Sequence, residues 1–133
     1  SAASDVYKRQ DYVSQLLPKF KNKISGMAMN VPVANGSCVD LTTEMSSMPS
    51  IEEVNNAFKD ASENELIDLI RYTEDPIVSS DAIGGGETMV FDSKATMIAS
   101  NKLLKTISWF DNGWGFANRI LELSESYNEL ESN

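Results

Sequence analysis

Residues 37–61, SCVDLTTEMSSMPSIEEVNNAFKDA, pass from the repeat of a β-strand to the repeat of an α-helix. Between residues 37 and 45 apolar and polar side chains alternate, which is typical of a strand. Ser50 and Glu53 then have the spacing of a capping box, in which each side chain accepts a hydrogen bond from the other residue's backbone N–H. Apolar residues recur at helical spacing after them, and this stripe predicts a helix with one buried side: Ile51, Val54, Ala57, Phe58 and Ala61.

Towards the N-terminus the pattern predicts a second strand and a short helix. Residues 24–33 alternate as a strand does, and the Asn35-Gly36 pair between the two apolar runs predicts a chain reversal. An amphipathic pattern over residues 11–17 predicts a helix that ends at Pro18, because proline cannot donate the next helical hydrogen bond. The intervening residues 19–23 are rich in lysine and predict a solvated turn.

Towards the C-terminus short apolar runs alternate with turn signals. They predict strands over residues 66–72, 77–78, 88–91, 95–100 and 105–110, with a flexible turn at Gly84–Gly86 rather than a phosphate-binding loop. From about Asn112 the repeat is helical, and one face carries Phe116, Ile120, Leu123, Tyr127 and Leu130. The expected fold is α+β, a mostly antiparallel mixed sheet with helices on one face and a C-terminal amphipathic helix.

Composition excludes several classes of function. The 133 residues contain 11 basic and 20 acidic side chains, a net charge of −9, so nucleic acid and anionic membranes are not expected partners. Histidine is absent, so no Ser-His or Cys-His pair and no histidine-ligated metal can come from this chain alone. A single cysteine excludes a thiolate zinc cluster and fits a reducing, cytoplasmic setting. We expect no catalytic residue and no metal ligand within the chain.

Cys38 is the only thiol, and the pattern places it in the middle of a strand. A reactive cysteine needs a basic neighbour or a helix N-terminus to lower its pKa, whereas Asp40 nearby should raise the pKa of Cys38. The sequence therefore predicts a packed, unreactive thiol.

Segments in several parts of the chain resemble, in the same order, those of the phosphorylating glyceraldehyde-3-phosphate dehydrogenases. They are GMAMNVPVANGSCVDLT (26–42), EEVNNAFKDASE (52–63), YTEDPIVSSDAIG (72–84), FDSKA (91–95) and SWFDNGWGFANRILEL (108–123). The resemblance implies that residues 11–133 are part of the C-terminal, catalytic domain of that family. Residues 1–10 match none of it, and we expect them to be a foreign leader, with true divergence as the alternative.

The resemblance implies an activity that this chain cannot perform alone. The family oxidises glyceraldehyde 3-phosphate to 1,3-bisphosphoglycerate in glycolysis, using NAD, inorganic phosphate and a cysteine activated by a histidine, in a cytoplasmic homotetramer. The nucleophilic cysteine, that histidine and the NAD-binding domain have no counterpart here, and Cys38 falls at a strand position. Alternatives are erythrose-4-phosphate dehydrogenase of the same family and a non-catalytic assembly module, and the choice between NAD and NADP stays open.

Three positions carry family roles over to this sequence. Asn112 matches the asparagine that orients the nicotinamide carboxamide, although an asparagine there could simply cap the last helix. Phe116 matches an aromatic residue beside the nicotinamide that is usually tyrosine. Asn30 stands where the family usually has a phosphate-binding arginine, so phosphate binding at that position is expected to be lost or weakened.

Overall fold

A computed structural model describes residues 10–131, which belong to two compact units divided between Val33 and Ala34. In the first unit a helix, α1, covers residues 10–16 and a single 3-10 turn covers Pro18–Phe20. Leu17 N donates to Val13 O at 2.8 Å, and Pro18 has no N–H with which to continue, so the predicted helix end is confirmed. The predicted leader at residues 1–10 lies, apart from Gln10, outside the described residues.

The strand predicted over residues 24–33 is wrong. This segment is irregular and exposed, with Met27 at 76% and Met29 at 73% of full exposure. Alternation describes only the side chains, whereas a strand also needs a neighbour for its backbone N–H and C=O groups. The described part of this unit contains no second strand that could provide one.

The second unit contains the sheet and two helices. Its elements are β1 (Ser37–Glu44), α2 (Ile51–Glu63), β2 (Ile70–Thr73), β3 (Met89–Asp92), β4 (Met97–Ile98), β5 (Leu103–Phe110) and α3 (Asn112–Glu131). The strand order is β1-β5-β3-β2, and β4 pairs with β5. Every pairing is antiparallel except that of β2 with β3, so the predicted α+β class and mixed sheet are confirmed.

Helix α2 begins at the predicted capping box and packs through part of its apolar stripe. Glu53 N donates to Ser50 Oγ at 3.1 Å, and Ser50 N donates to Glu53 Oε2 at 2.7 Å. Val54 is buried, and the Phe58 ring stacks on the fully buried Phe91 of β3 with 3.8 Å between ring centroids. The rest of the predicted stripe is less covered, because Ile51 is 42% exposed.

Several predicted strands are shorter than expected because turns occupy their ends. Residues 66–69 form turns, with Asp68 at a φ of 64°, so β2 begins only at Ile70. Residues 77–78 are not a strand, since Val78 N donates to Asp81 Oδ2 at the start of a 3-10 turn. Asp92 Oδ1 accepts from Lys94 N and Ala95 N, which holds residues 93–95 in another 3-10 turn and leaves only residues 97–98 for β4.

Cys38 is exposed, so the prediction that it is packed is wrong, whereas its low reactivity stays a prediction. Cys38 pairs with Trp109 between β1 and β5, and other residues cover its side chain only in part. Partial burial, followed by the charges of Asp40 and Asp92, raises the pKa of the Cys38 thiol against an opposing effect of Lys105. The predicted electrostatic influence of Asp40 therefore has the expected sign, although the side chain is exposed.

Candidate functional site

The candidate site lies where β5 ends and α3 begins. Asp111 Oδ1 accepts hydrogen bonds from Gly113 N and Trp114 N, each at 3.1 Å, and Gly115 N donates to the Asp111 backbone oxygen at 3.0 Å. This is the arrangement of a helix N-cap. Asp111 therefore caps α3, and the alternative in which Asn112 acts as the cap is wrong.

The second carboxylate oxygen of Asp111 binds two loops. Asp111 Oδ2 accepts from Asn35 Nδ2 at 3.3 Å and from Gly84 N at 3.2 Å. The hydrogen bonds from Trp114 N and Gly84 N, with smaller effects of Gly113 N and Asn35, hold the pKa of Asp111 below its usual range. The carboxylate is thus charged at neutral pH, when it is the better acceptor.

Asn112 and Phe116 line one open cleft at this junction. The cleft measures about 190 Å³ and is also bordered by Thr88, Phe110, Asp111, Gly115 and Arg119. Both predicted residues are exposed, and no hydrogen bond within residues 10–131 engages the Asn112 side-chain amide. Clefts that enclose a small ligand usually measure ~300–1,000 Å³. This one is therefore smaller than a cleft that encloses a small ligand by itself.

The base of the cleft depends on a close approach of α3 to the chain before β3. Gly115 is buried, and a Cβ atom at that position would lie 3.1 Å from the Glu87 backbone oxygen. Arg119, one turn further along α3, donates from Nη1 to Thr88 Oγ1 at 3.0 Å and to Asp68 O at 3.3 Å. Its Nη2 donates to Gly86 O at 3.3 Å and pairs with Glu122. These contacts fix the first turns of α3 against the sheet.

The apolar face of α3, which runs from Phe116 at the cleft towards the C-terminus, is uncovered among the described residues. Its predicted members are all at least half exposed: Phe116, Ile120, Leu123, Tyr127 and Leu130. The helix itself is confirmed, and only its first turns contact the sheet through Gly115 and Arg119.

Asn30, the third predicted site residue, belongs to the N-terminal unit. It is exposed in the irregular segment of residues 24–33 and is described within that unit alone. The structure therefore brings Asn112 and Phe116 together at one cleft. Asn30 belongs to the other unit and is not among the residues of that cleft. Sequence reasoning missed Gly115 and Arg119, because their contacts are with residues distant in the chain. It also missed Asp111 as the cap, although an aspartate directly before a helical repeat is a local signal for one.

Residues 10–131 contain neither a cluster of metal-binding side chains nor a helix that could span a membrane. No group of three or more cysteine, aspartate or glutamate side chains in this range is placed to hold a metal ion. None of the helices in the described range has the length and apolar character needed to cross a membrane.

Comparison with known proteins identifies the family. Residues 7–112 match the family model described as glyceraldehyde 3-phosphate dehydrogenase, C-terminal domain. The chain is 46% identical over 109 residues to glyceraldehyde-3-phosphate dehydrogenase 2 of Streptomyces avermitilis, an alignment covering 82% of this chain and 32% of that protein. It is 40% identical over 121 residues to glyceraldehyde-3-phosphate dehydrogenase of Cochliobolus heterostrophus, covering 91% of this chain and 36% of that protein.

A third relative, glyceraldehyde-3-phosphate dehydrogenase of Bacteroides fragilis, is 40% identical over 112 residues, covering 84% of this chain and 34% of that protein. The chain thus spans about a third of the length of these relatives. A family model over most of the chain and these identities show the same family. The chain belongs to the glyceraldehyde-3-phosphate dehydrogenase family and corresponds to its C-terminal domain.

Proposed function

We propose that this chain acts as the C-terminal, catalytic-domain part of an NAD-dependent phosphorylating dehydrogenase. The reaction converts glyceraldehyde 3-phosphate and inorganic phosphate to 1,3-bisphosphoglycerate in the cytoplasm, within a homotetramer. The observation that carries the proposal is that Asn112 and Phe116 border one cleft, at the start of one helix, in a chain of this family. Neither nucleic acid nor a membrane is a partner in this proposal.

The residues at the cleft fit a nicotinamide. The Asn112 amide can donate and accept at once, as a carboxamide partner requires, and no hydrogen bond within the described residues occupies it. Phe116 is 67% exposed and offers a flat apolar ring one helical turn away. NAD, when bound, supplies the hydride acceptor of the reaction. The role of this chain is to orient the nicotinamide ring through Asn112 and to shield one side from water through Phe116.

The chain supplies no group for the covalent step or the proton transfer. It has no histidine, and partial burial together with Asp40 and Asp92 keeps the pKa of its one thiol raised. Catalytic units lose most of their rate when one member is removed. The nucleophile, its base and the main NAD-binding domain must therefore come from residues outside these 133, and this chain alone should not oxidise aldehydes.

The position expected to bind the substrate phosphate carries no positive charge in this chain. Asn30 has a neutral amide in place of the guanidinium expected from the family, so it offers neither the positive charge nor the two-pronged geometry that binds phosphate well. We propose that any contact of Asn30 with phosphate contributes little, and that other residues of the complete protein hold the phosphate groups.

The experiment that tests this function begins with the gene. We expect the DNA upstream of the Asp11 codon to encode a dinucleotide-binding domain and a catalytic cysteine and histidine in the same reading frame. The complete gene product should reduce NAD with glyceraldehyde 3-phosphate and phosphate, and the rates with NADP and with erythrose 4-phosphate decide cofactor and substrate preference. A complete product without a catalytic cysteine would overturn the enzyme proposal and favour a non-catalytic assembly module.

A further inference from the structure

The Asp111 carboxylate joins three segments that are far apart in the chain. Its oxygens accept hydrogen bonds from Asn35 Nδ2, just before β1, and from Gly84 N in the glycine-rich turn. They also accept hydrogen bonds from two backbone N–H groups of α3, Gly113 N and Trp114 N. No lysine or arginine forms an ion pair with it among the described residues, so backbone and amide donors alone satisfy the charge. An exposed helix cap needs only the bonds to α3, and the two loop contacts are additional.

The two loops that Asp111 holds also pack on each other. Gly36 has a φ of 88°, and a Cβ atom there would lie 2.6 Å from the Ser79 backbone oxygen. Gly84, a few residues after Ser79, has a φ of 74° and donates to Asp111. The turn at residues 35–36 and the segment of residues 79–84 therefore form one layer beside the start of α3, and Asp111 is the side chain that binds both to the helix.

Asn112 follows Asp111 directly, and no hydrogen bond within the described residues holds its own side chain. Its direction is therefore set by the backbone on either side. β5 fixes the approach through the pairing of Phe110 with Ser37, and the cap bonds of Asp111 fix the departure into α3. A small rotation at Asp111 would move the Asn112 amide relative to Phe116 across the cleft.

We propose that Asp111 is a positioning residue of the nicotinamide site, which orients Asn112 by binding α3 with Oδ1 and the loops at Asn35 and Gly84 with Oδ2. This inference rests on the proposed function, because it assigns Asp111 to the site at which Asn112 meets the nicotinamide. It goes beyond that function by naming a residue that does not touch the ligand and the hydrogen bonds through which it acts.

Because Asp111 caps α3 with Oδ1 and binds the loops with Oδ2, one substitution can remove a loop contact and keep the cap. Asparagine caps helices about as well as aspartate, so the amide oxygen of Asp111→Asn can keep the bonds to Gly113 N and Trp114 N. The amide NH₂ then faces the donors Gly84 N and Asn35 Nδ2, to which it cannot be an acceptor. Asp111→Asn should therefore keep α3 capped and break the bond to Gly84 N, while a flipped Asn35 amide accepts from the new NH₂ through its Oδ1.

The test is a double-mutant cycle in the complete gene product, with Asp111→Asn, Asn112→Ala and the double variant. The measurements are the Kd of NAD and the single-turnover rate of hydride transfer at saturating NAD. Loss of one or two hydrogen bonds that hold a group in place predicts a fall of about three- to tenfold in the hydride-transfer rate for Asp111→Asn, with a smaller change in Kd. In the Asn112→Ala background the same substitution should have no further effect, because neighbouring residues that act together are non-additive.

Ser50→Ala is the matched control. It weakens the cap of α2, which lies outside the cleft, so it should lower stability without changing NAD binding or hydride transfer. If Asp111→Asn does not fold, Asn35→Ala removes one of the loop donors, keeps the charge, and should change the hydride-transfer rate in the same direction by a smaller factor.

The outcomes separate the two proposals. No effect of Asn112→Ala on either measurement overturns the nicotinamide role and the positioning role together. A clear effect of Asn112→Ala, combined with an Asp111→Asn effect that is equal in both backgrounds, overturns only the positioning role. An Asp111→Asn effect that Ser50→Ala reproduces at equal loss of stability also overturns it.

Discussion

The backbone N–H of Gly84 donates to Asp111 Oδ2 at 3.2 Å, although the two residues are 27 positions apart in the chain. The bond connects the glycine-rich turn before β3 to the residue that caps α3. The side chain of Asn112 extends from the next residue into the cleft that it shares with Phe116. The turn at Gly84–Gly86, which carries no phosphate-loop pattern, is thus part of the structure that holds the candidate site.

Asn112→Asp in the complete protein should weaken the nicotinamide contact without loss of stability. Aspartate cannot donate to a carboxamide oxygen, and an unmet polar group costs ~1–3 kcal/mol, which corresponds to about one to two orders of magnitude in NAD affinity or hydride transfer. A negative charge in the first turn of α3 is favourable, so the helix should persist. Asn101→Asp, an equal charge change in the exposed turn before β5, is the control. Unchanged kinetics for Asn112→Asp would contradict the assignment.

Gly36→Ala and Gly84→Ala should destabilise the protein by different amounts. Both residues have positive φ, where a side chain costs roughly 1–2 kcal/mol. At Gly84 a Cβ atom meets nothing within 4 Å, whereas at Gly36 it would lie 2.6 Å from Ser79 O. Steric overlap in a packed region adds about 1–3 kcal/mol, so Gly36→Ala should lose more free energy of unfolding in urea. Equal losses would mean that the contact between the two loops is absent.

The capping box of α2 should contribute less to stability in acid. The hydrogen bond from Ser50 N, assisted by the Ser50 side chain, lowers the pKa of Glu53. A carboxylate with a lowered folded-state pKa stabilises the fold above its unfolded pKa of about 4.3, and this stabilisation is lost as the pH falls through the folded value. The difference in unfolding free energy between the parent protein and Glu53→Gln should therefore shrink between neutral pH and about pH 3. A difference that grows in acid would contradict the assigned bond.

Cys38 should react with iodoacetamide in the native state, but slowly at neutral pH. Its side chain is exposed, while partial burial and the charges of Asp40 and Asp92 raise the pKa of its thiol. Asp40→Asn should speed alkylation by lowering that pKa, and Lys105→Gln should slow it by removing the opposing positive charge. The reactions are followed by mass spectrometry beside the urea-unfolded protein, which should react faster than the native form. If the native protein were labelled faster than the unfolded protein, the assigned upward shift of the Cys38 pKa would be wrong.

Local signals in the sequence predicted the parts of the fold whose partners are near in the chain. The capping box joins residues 50 and 53, and the helix of residues 10–16 ends because Pro18 lacks an N–H. The helical repeat that begins near Asn112 corresponds to the helix α3. Each depends on bonds within a few residues, so the order of amino acids is sufficient. The family resemblance likewise placed Asn112 and Phe116, and the structure adds that they line one cleft.

Tertiary contacts decided what alternation and composition could not. Residues 24–33 have the pattern of a strand but no neighbouring strand within their unit, and Cys38 has the position of a packed residue but an exposed side chain. Asp111 caps α3 through bonds to its near neighbours, but its second carboxylate oxygen binds Asn35, which lies 76 residues away. Sequence patterns determine which hydrogen bonds a residue can make with its near neighbours. Whether a strand is paired, a thiol is covered or a carboxylate joins two loops depends on which distant groups the folded chain brings within about 3 Å, the range in which a hydrogen bond forms.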